Sequence, residues 1–372
     1  MKSILLICSS SQNIYNFRIP LIEQLKEVGY QVYTLAFDSK FADNLKQKKI
    51  NLETVDDDNR NVNPFSAILL KNKYFRIIRK INPDIVFTFM AKPNVFGVMS
   101  AKKANVKSIF SMVEGAGDPF YYKTIKWRLI KSIECYLYRK AFKHSKKVFF
   151  LNNDDKNEFS NLKLVREEQS ELISGVGVDL DYFSFKPIKE KACFLMASRL
   201  LKTKGVMEYC ECARRVKQVF PDAVFNLIGF EGDIKVSDIK EYISEGSINY
   251  LGFVKDVRER LEHTTVCILP SFYREGLPMS IMEAEAVGRP VITTDNVGCR
   301  DAVVDGYNGF LVKQKSIDAL VEKCIYFIDN FDKVVDMGIN ARKYAEIKFN
   351  CKLINKKIIG IIESNYDVVD FK

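Results

Sequence analysis

The sequence predicts an α/β chain of two doubly wound, Rossmann-like parallel sheets. Three observations carry this. Short apolar runs alternate with helix-period segments, the series occurs twice, and 372 residues are too many for one hydrophobic core. In the first half, β-type runs fall at 3–8, 31–36, 50–55, 84–89, 107–112, 147–151 and 170–174. Helix-period segments at 17–28, 64–81, 93–104, 122–144 and 153–161 lie between them. The second half repeats the pattern, with strands at 192–197, 223–229, 247–251, 265–269, 290–293 and 309–312. Its helices are expected at 204–219, 235–245, 255–262, 278–288, 299–305, 316–330, 332–348 and 352–364. Periodicity breaks in ISGVGVDLDYFSFKP, residues 173–187, where two Gly and a Pro intervene. The expected domains are therefore 1–183 and 184–351, with a last helix, about 352–372, packing back on the first. Two such sheets are expected to face each other across a cleft, where small-molecule sites gather.

Composition narrows the function classes. The opening MKSILLICSSS has one Lys and a five-residue apolar run, too short for an export signal or a membrane span, and reads as a first strand. Nine cysteines, odd in number and without C-x-x-C, are expected to be reduced core thiols of a cytoplasmic protein. Only His144 and His263 are present, which argues against a histidine-rich zinc site or a Ser-His-Asp triad. No G-x-G-x-x-G follows a strand, so a nicotinamide or flavin dinucleotide fold has no support.

Chemistry concentrates in LPSFYREGLPMSIMEAEAVGRPVITTD, residues 269–295, where Glu275 and Glu283 stand eight positions apart. Gly276 and Pro278 mark the entry to a helix. The amides of Leu277, Met279 and Ser280 then lack helical partners and offer an anion site. Upstream, FLMASRLLKTKG (194–205) reads as a buried strand followed by Arg199 and Lys204-Gly205. In an open α/β sheet those cations lie beyond a carboxyl strand end, where a diphosphate would meet a forked donor and a compact charge. Each feature alone also fits a solvated surface residue.

With these motifs the chain resembles the retaining glycosyltransferases of family four, which have the GT-B fold of two facing sheets. Further stretches, SQNIYNFRIPLI (11–22), KPNVFGVMSAKKA (92–104), VEGAGDPF (113–120) and DNVGCRDAVVDGYNGFLV (295–312), are similar to one group within it. That group comprises bacterial enzymes that extend undecaprenyl-diphosphate-linked sugars, α-1,3-N-acetylgalactosaminyltransferases among them. The resemblance implies a UDP-sugar donor, UDP-GalNAc as the first choice with UDP-GlcNAc, UDP-Gal or another hexose donor as alternatives, and a polyprenyl-diphosphate-linked saccharide acceptor. It implies no cofactor and no tightly bound metal. Arg199 and Lys204 would neutralise the departing diphosphate, with Gly276, Leu277 and Met279 offering backbone at the helix start. Glu283 would hold the ribose, Glu275 the transferred sugar, Phe253 and Val254 the uracil, and Gly229 would let the backbone approach the nucleotide. Many relatives place a His on the loop after the fourth or fifth strand. Here Glu114 or Asp118 occupies that region, and Glu114 is the candidate that orients the site. Asn16, Arg18, Lys92 and Asn94 are the acceptor-side candidates.

Charge gives an independent clue. Residues 1–184 hold 29 Lys+Arg against 20 Asp+Glu, leaving 28 against 27 for the rest. The excess gathers in 121–147, with nine basic residues, one acidic, and the only Trp, Trp127. Lys123, Lys126, Arg128 and Lys131 with a stripe at Ile125, Leu129, Ile133, Leu137 and Ala141 would suit an anionic membrane surface. The expected location is then the inner face of the bacterial cytoplasmic membrane. The alternative is a stripe packed on the sheet with merely solvated lysines. No nucleic-acid-binding motif accompanies the charge, so no nucleic-acid partner is expected. Asp56-x-Asp58 could be a metal-binding D-x-D, but it lies far in sequence from Arg199 and Lys204, and an acidic turn is the plainer reading. A sugar-nucleotide epimerase would be expected to bring histidines and acid/base carboxylates of its own. A non-catalytic membrane scaffold would not need Arg199, Lys204, Glu275 and Glu283 together.

Overall fold

In a computed structural model, which describes residues 1–57, 64–189 and 191–366, the chain divides into two compact units. Met1–Val176 and Cys351–Lys372 form the first, Gly177–Asn350 the second. The division falls in the Gly-rich 175–177 stretch, just upstream of the expected boundary, and the last helix, Cys351–Ser364, joins the first unit by packing on helix Ile19–Glu27.

The first unit holds seven strands: β1 (Ser3–Ile7), β2 (Gln31–Ala36), β3 (Leu52–Thr54), β4 (Ile85–Phe89), β5 (Ser108–Val113), β6 (Lys147–Phe150) and β7 (Ser170–Leu172). They form one parallel sheet in the order β3-β2-β1-β4-β5-β6-β7. Ile4 pairs with Val32 on one side and Ile85 on the other, so the order reverses between β1 and β4. The apolar run explains this central position, because Ile4 to Ile7 are fully buried and need cover on both faces. Phe87 touches Phe89, Phe110 and Phe149 at ring-centroid distances of 4.4, 6.4 and 5.5 Å. Each such buried ring contributes about 2 kcal/mol of transfer free energy.

The second unit repeats the scheme with β8 (Cys193–Ala197), β9 (Val224–Ile228), β10 (Asn249–Tyr250), β11 (Val266–Leu269), β12 (Val291–Thr294) and β13 (Gly309–Val312). Their order is β10-β9-β8-β11-β12-β13, all parallel, with the reversal between β8 and β11. Each unit is thus the doubly wound sheet that the alternation predicts. Open sheets of this kind collect ligands at the reversal, beyond the carboxyl strand ends.

Local departures have local causes. The helix expected at 17–28 begins at Ser11, capped by the Ser10 side chain, and breaks at Arg18 before Pro20. The segment expected as one helix over 93–104 opens with a wide turn, Pro93–Gly97, in which Gly97 packs against Thr88. The expected helix at 299–305 is a run of turns between Gly298 and Gly306, both with positive φ, and Asn308 Oδ1 accepts from the Val304 amide.

Candidate active site

The second unit brings its candidate residues to the carboxyl ends of β8, β9, β10 and β11. Gly205 has φ +80, and a Cβ there would collide with the Pro270 carbonyl. The loop after β8 therefore presses on the loop after β11, and the Phe272 and Tyr273 amides both donate to Thr203 O, at 2.9 and 3.1 Å. That stitch sets Lys204 Nζ 2.6 Å from Glu275 Oε1. Ser271 Oγ donates to the same oxygen at 2.8 Å, and Glu275 is 9% exposed. Gly298 supports the loop from behind, since any side chain there would meet the Glu275 and Gly276 carbonyls.

Arg199 lies two residues beyond β8, exposed, with no ion pair among the described residues. Helix Met279–Val287 follows the loop, with Pro278 at its cap and Gly288 closing it in the left-handed conformation. Its first amides to find helical acceptors are those of Ile281 and Met282, both bonded to Pro278 O, which leaves Met279 and Ser280 at the open end. Leu277 is buried and Gly276 half-buried in that approach. Glu283 is half-buried against an apolar cavity lined by Leu195, Val257, Leu261, Leu269, Ile281 and Val291. Burial pushes its carboxyl up to about 7, with Asp256 adding to the effect. Asp256 itself is drawn down to about 2 by its hydrogen bonds from Arg258.

Gly229 has φ +149 where the loop after β9 crosses the Ser198 carbonyl, and a Cβ would run into that oxygen. Its carbonyl accepts from Tyr250 Oη at 2.9 Å. Phe253 is exposed and stacks on Phe230 with ring centroids 3.9 Å apart and planes 12° apart; Val254 beside it is half-buried. Ser271 and Phe230 escaped the sequence reading. Ser271 had a signal, four residues ahead of Glu275; a surface aromatic such as Phe230 had none.

In the first unit, Glu114 follows β5 and is 15% exposed, ion-paired with Arg18 and accepting from Asn13 Nδ2 at 3.2 Å. Two of the acceptor-side candidates are buried beside it or near it. Arg18 is 2% exposed and ion-paired with Glu114. Asn94 is fully buried, accepting from Thr88 Oγ1 at 2.7 Å and donating to Met112 O at 2.8 Å, and it ties the turn after β4 to the sheet. Lys92 pairs with Asp57 at 2.7 Å, whereas Asn16 is exposed. Asp118 starts a short helix, Asp118–Tyr121. Asp58, half of the D-x-D, lies outside the described residues, among which no group of three or more His, Cys, Asp or Glu side chains gathers as for a metal.

Helix Ile125–Phe142, capped by Thr124, splits its stripe. Tyr138, Ala141 and Phe142 are buried and Leu137 is half-buried, whereas Ile125, Leu129 and Ile133 are 87, 64 and 54% exposed. Lys123, Lys126 and Arg128 are exposed around them. Lys131 is instead engaged, 2.6 Å from Glu158, and Trp127 stacks on Tyr122. No helix among the described residues is long and apolar enough to cross a membrane.

Residues 180–344 match the family model described as "Glycosyl transferases group 1", and residues 3–152 match "Glycosyl transferase 4-like". The chain is 29% identical to the Campylobacter jejuni N,N'-diacetylbacillosaminyl-diphospho-undecaprenol alpha-1,3-N-acetylgalactosaminyltransferase, over 94% of this chain and 96% of the relative. It is 26% identical to the Escherichia coli UDP-Gal:alpha-D-GlcNAc-diphosphoundecaprenol alpha-1,3-galactosyltransferase, over 94 and 95%. Among solved structures, Anabaena HepE in complex with UDP superposes with a TM-score of 0.82 at 19% identity, over 98% of this chain and 100% of that one. Sucrose-phosphate synthase from Thermosynechococcus elongatus gives 0.79 at 16%, over 98 and 99%. These likenesses show a shared fold.

Proposed function

Since the chain belongs to the group 1 glycosyltransferases, of GT-B fold, we propose that it moves a sugar from a UDP-sugar to a saccharide carried on undecaprenyl diphosphate, with retention and in α linkage. The carrying observation is the Lys204–Glu275–Ser271 cluster, with exposed Arg199 at the neighbouring strand end. A cation and a carboxylate held together at a sheet's reversal suit a substrate that joins a diphosphate to a hydroxyl-rich ring. Arg199 and Lys204 stabilise the charge that grows on the leaving diphosphate, with the amides of Met279 and neighbours beside them. Glu275 accepts from hydroxyls of the transferred sugar and Glu283 from the ribose. Phe253 and Val254 border the uracil, where Gly229 keeps the backbone low.

Retention then needs no covalent intermediate on the protein. The bond from the anomeric carbon to phosphate breaks, the acceptor oxygen bonds to that carbon on the same face, and its proton passes to the leaving phosphate. GalNAc is the favoured donor, in keeping with the sugar named for the Campylobacter relative. With two cations at the diphosphate the reading requires no tightly bound metal. A lipid-linked acceptor places the enzyme at a membrane, and the exposed Ile125, Leu129 and Ile133 among Lys123, Lys126 and Arg128 are the surface assigned to an anionic leaflet. The test is a panel of UDP- and GDP-sugars with undecaprenyl-diphosphate-linked monosaccharides. Acceptor-dependent UDP release supports the reading; release only from GDP-sugars, or turnover of UDP-sugar to an epimer without acceptor, overturns it.

A further inference from the structure

We infer that Glu114 contacts the acceptor saccharide and that Arg18 and Asn13 are the positioning residues that aim it, an inference that rests on the transferase reading above. Three separate stretches build this arrangement. Asn13 lies in helix Ser11–Phe17, which starts directly after β1, and Arg18 ends that helix. Phe89 ends β4 and carries the Arg18 guanidinium 4.2 Å from its ring centroid. Glu114 follows β5. The group therefore sits at the β1/β4 reversal of the first sheet, where an open α/β sheet takes its ligand.

The energetics single the pair out. Burial lowers Arg18 to about 10, so it stays charged at neutral pH, and burial pushes the adjacent Cys8 thiol up to about 12, so it stays neutral. The anion that answers Arg18 is Glu114. Buried ion pairs are weak sources of stability, and well-packed apolar residues of the same volume often serve as well or better. A buried pair kept at a ligand-collecting strand end is better explained by what its exposed member does.

Glu114 is that member. Arg18 is 2% and Asn13 8% exposed, whereas Glu114 is 15% exposed. One carboxylate oxygen faces Arg18 and the other takes the Asn13 amide. Asn13 is steadied in turn by Met90 Sδ, 3.7 Å from its Nδ2, and Met90 holds a left-handed backbone (φ +70) at the end of β4. A carboxylate with an arginine beside one oxygen and an amide donor on the other is placed as a hydrogen-bond acceptor. It suits the hydroxyl and amide hydrogens of an amino sugar, and it would orient the attacking hydroxyl while the leaving phosphate takes the proton.

The test compares Glu114→Gln, Arg18→Lys and Asn13→Ala in steady-state transfer, with UDP affinity and melting temperature measured alongside. Arg18→Lys keeps the charge but loses the fork, and Asn13→Ala removes one hydrogen bond. All three should lower kcat with saturating acceptor, about tenfold or more for Glu114→Gln, since misaligned reactants lose about that much. UDP affinity should stay within about twofold, as the donor contacts lie in the other unit. Arg18→Lys combined with Glu114→Gln should be no slower than Glu114→Gln alone, because the first acts only through the second. Parental kcat in Arg18→Lys and Asn13→Ala, or additive losses in the double variant, overturns the inference while leaving the transferase intact. A parent protein without acceptor-dependent transfer overturns the proposed function and this inference with it.

Discussion

Lys204 Nζ donates to Glu275 Oε1 at 2.6 Å across 71 residues of sequence, and Ser271 Oγ donates to the same oxygen. Two groups assigned to different parts of the donor, diphosphate and sugar, thus satisfy each other. Both are mostly buried, with 21 and 11% of their side chains exposed, so neither is a merely solvated charge. Lys204→Ala should lower stability by about 1–3 kcal/mol, because the mostly buried Glu275 carboxylate loses its cationic partner. Glu275→Gln should cost less stability and lower kcat about a hundredfold, the scale for losing one aligned polar group at a reacting centre. Thermal melts and steady-state transfer check both, and a fully active Glu275→Gln would remove Glu275 from the site.

Arg199 and Glu283 should separate kinetically. Arg199 is exposed without an ion pair among the described residues, free to follow charge that grows as the diphosphate departs, so Arg199→Ala should chiefly lower kcat. Glu283→Ala should chiefly raise the UDP-sugar KM, since ribose binding is common to ground and transition states. Near-parental constants for both would discard this nucleotide site.

UDP affinity should depend on pH through Glu283. Burial pushes its carboxyl from 4.5 to about 7, with Asp256 contributing. The folded protein therefore holds this proton more tightly than the unfolded chain, and the stability it adds, present below pH 4.5, is lost as pH rises towards 7. Ribose hydroxyls donate to the ionised form, so binding must release the proton. Affinity should fall by up to about tenfold per unit as pH drops below 7. Calorimetric titration from pH 5.5 to 8 should show that slope in the parent and a shallower one in Glu283→Gln, where only the terminal phosphate of UDP, with a second pKa of about 6, still titrates.

Both sheets were legible in the sequence because parallel strands buried on both faces read as apolar runs, as ILLI does at β1. The meeting of Lys204 and Glu275, with Arg199 on the same loop as Lys204, was legible because these residues sit beside Gly and Pro punctuation that fixes their loops. The first-unit roles were not. Asn94 and Arg18 look like surface polar residues in a one-dimensional pattern, and only the fold shows Asn94 meeting Thr88 and Arg18 meeting Glu114. The stripe on Ile125–Phe142 was visible, but periodicity cannot say that its first two turns project past the core whereas Tyr138 and Phe142 enter it.

Membrane binding should have an ionic and an apolar part. Replacing Lys123, Lys126, Arg128 and Lys131 by Glu should release the protein from anionic vesicles and leave UDP binding intact. Each engaged cation is worth about 1 kcal/mol, and Lys131, paired with Glu158, should matter least. In the parent a fraction should stay bound in high salt and disappear in Ile125→Ser with Leu129→Ser, because apolar burial is unscreened. Parental co-sedimentation of the quadruple variant would show that this helix is not the membrane face.

The most direct test of the donor-site reading is product analysis. The parent protein is incubated with UDP-GalNAc and an undecaprenyl-diphosphate-linked amino sugar, and proton NMR reads the new anomeric centre. One UDP should be released per sugar transferred and the product should be α-linked, with both lost together in Arg199→Ala combined with Glu275→Gln. A β-linked product would contradict retention, and UDP release unchanged in that double variant would contradict the assignment of the site.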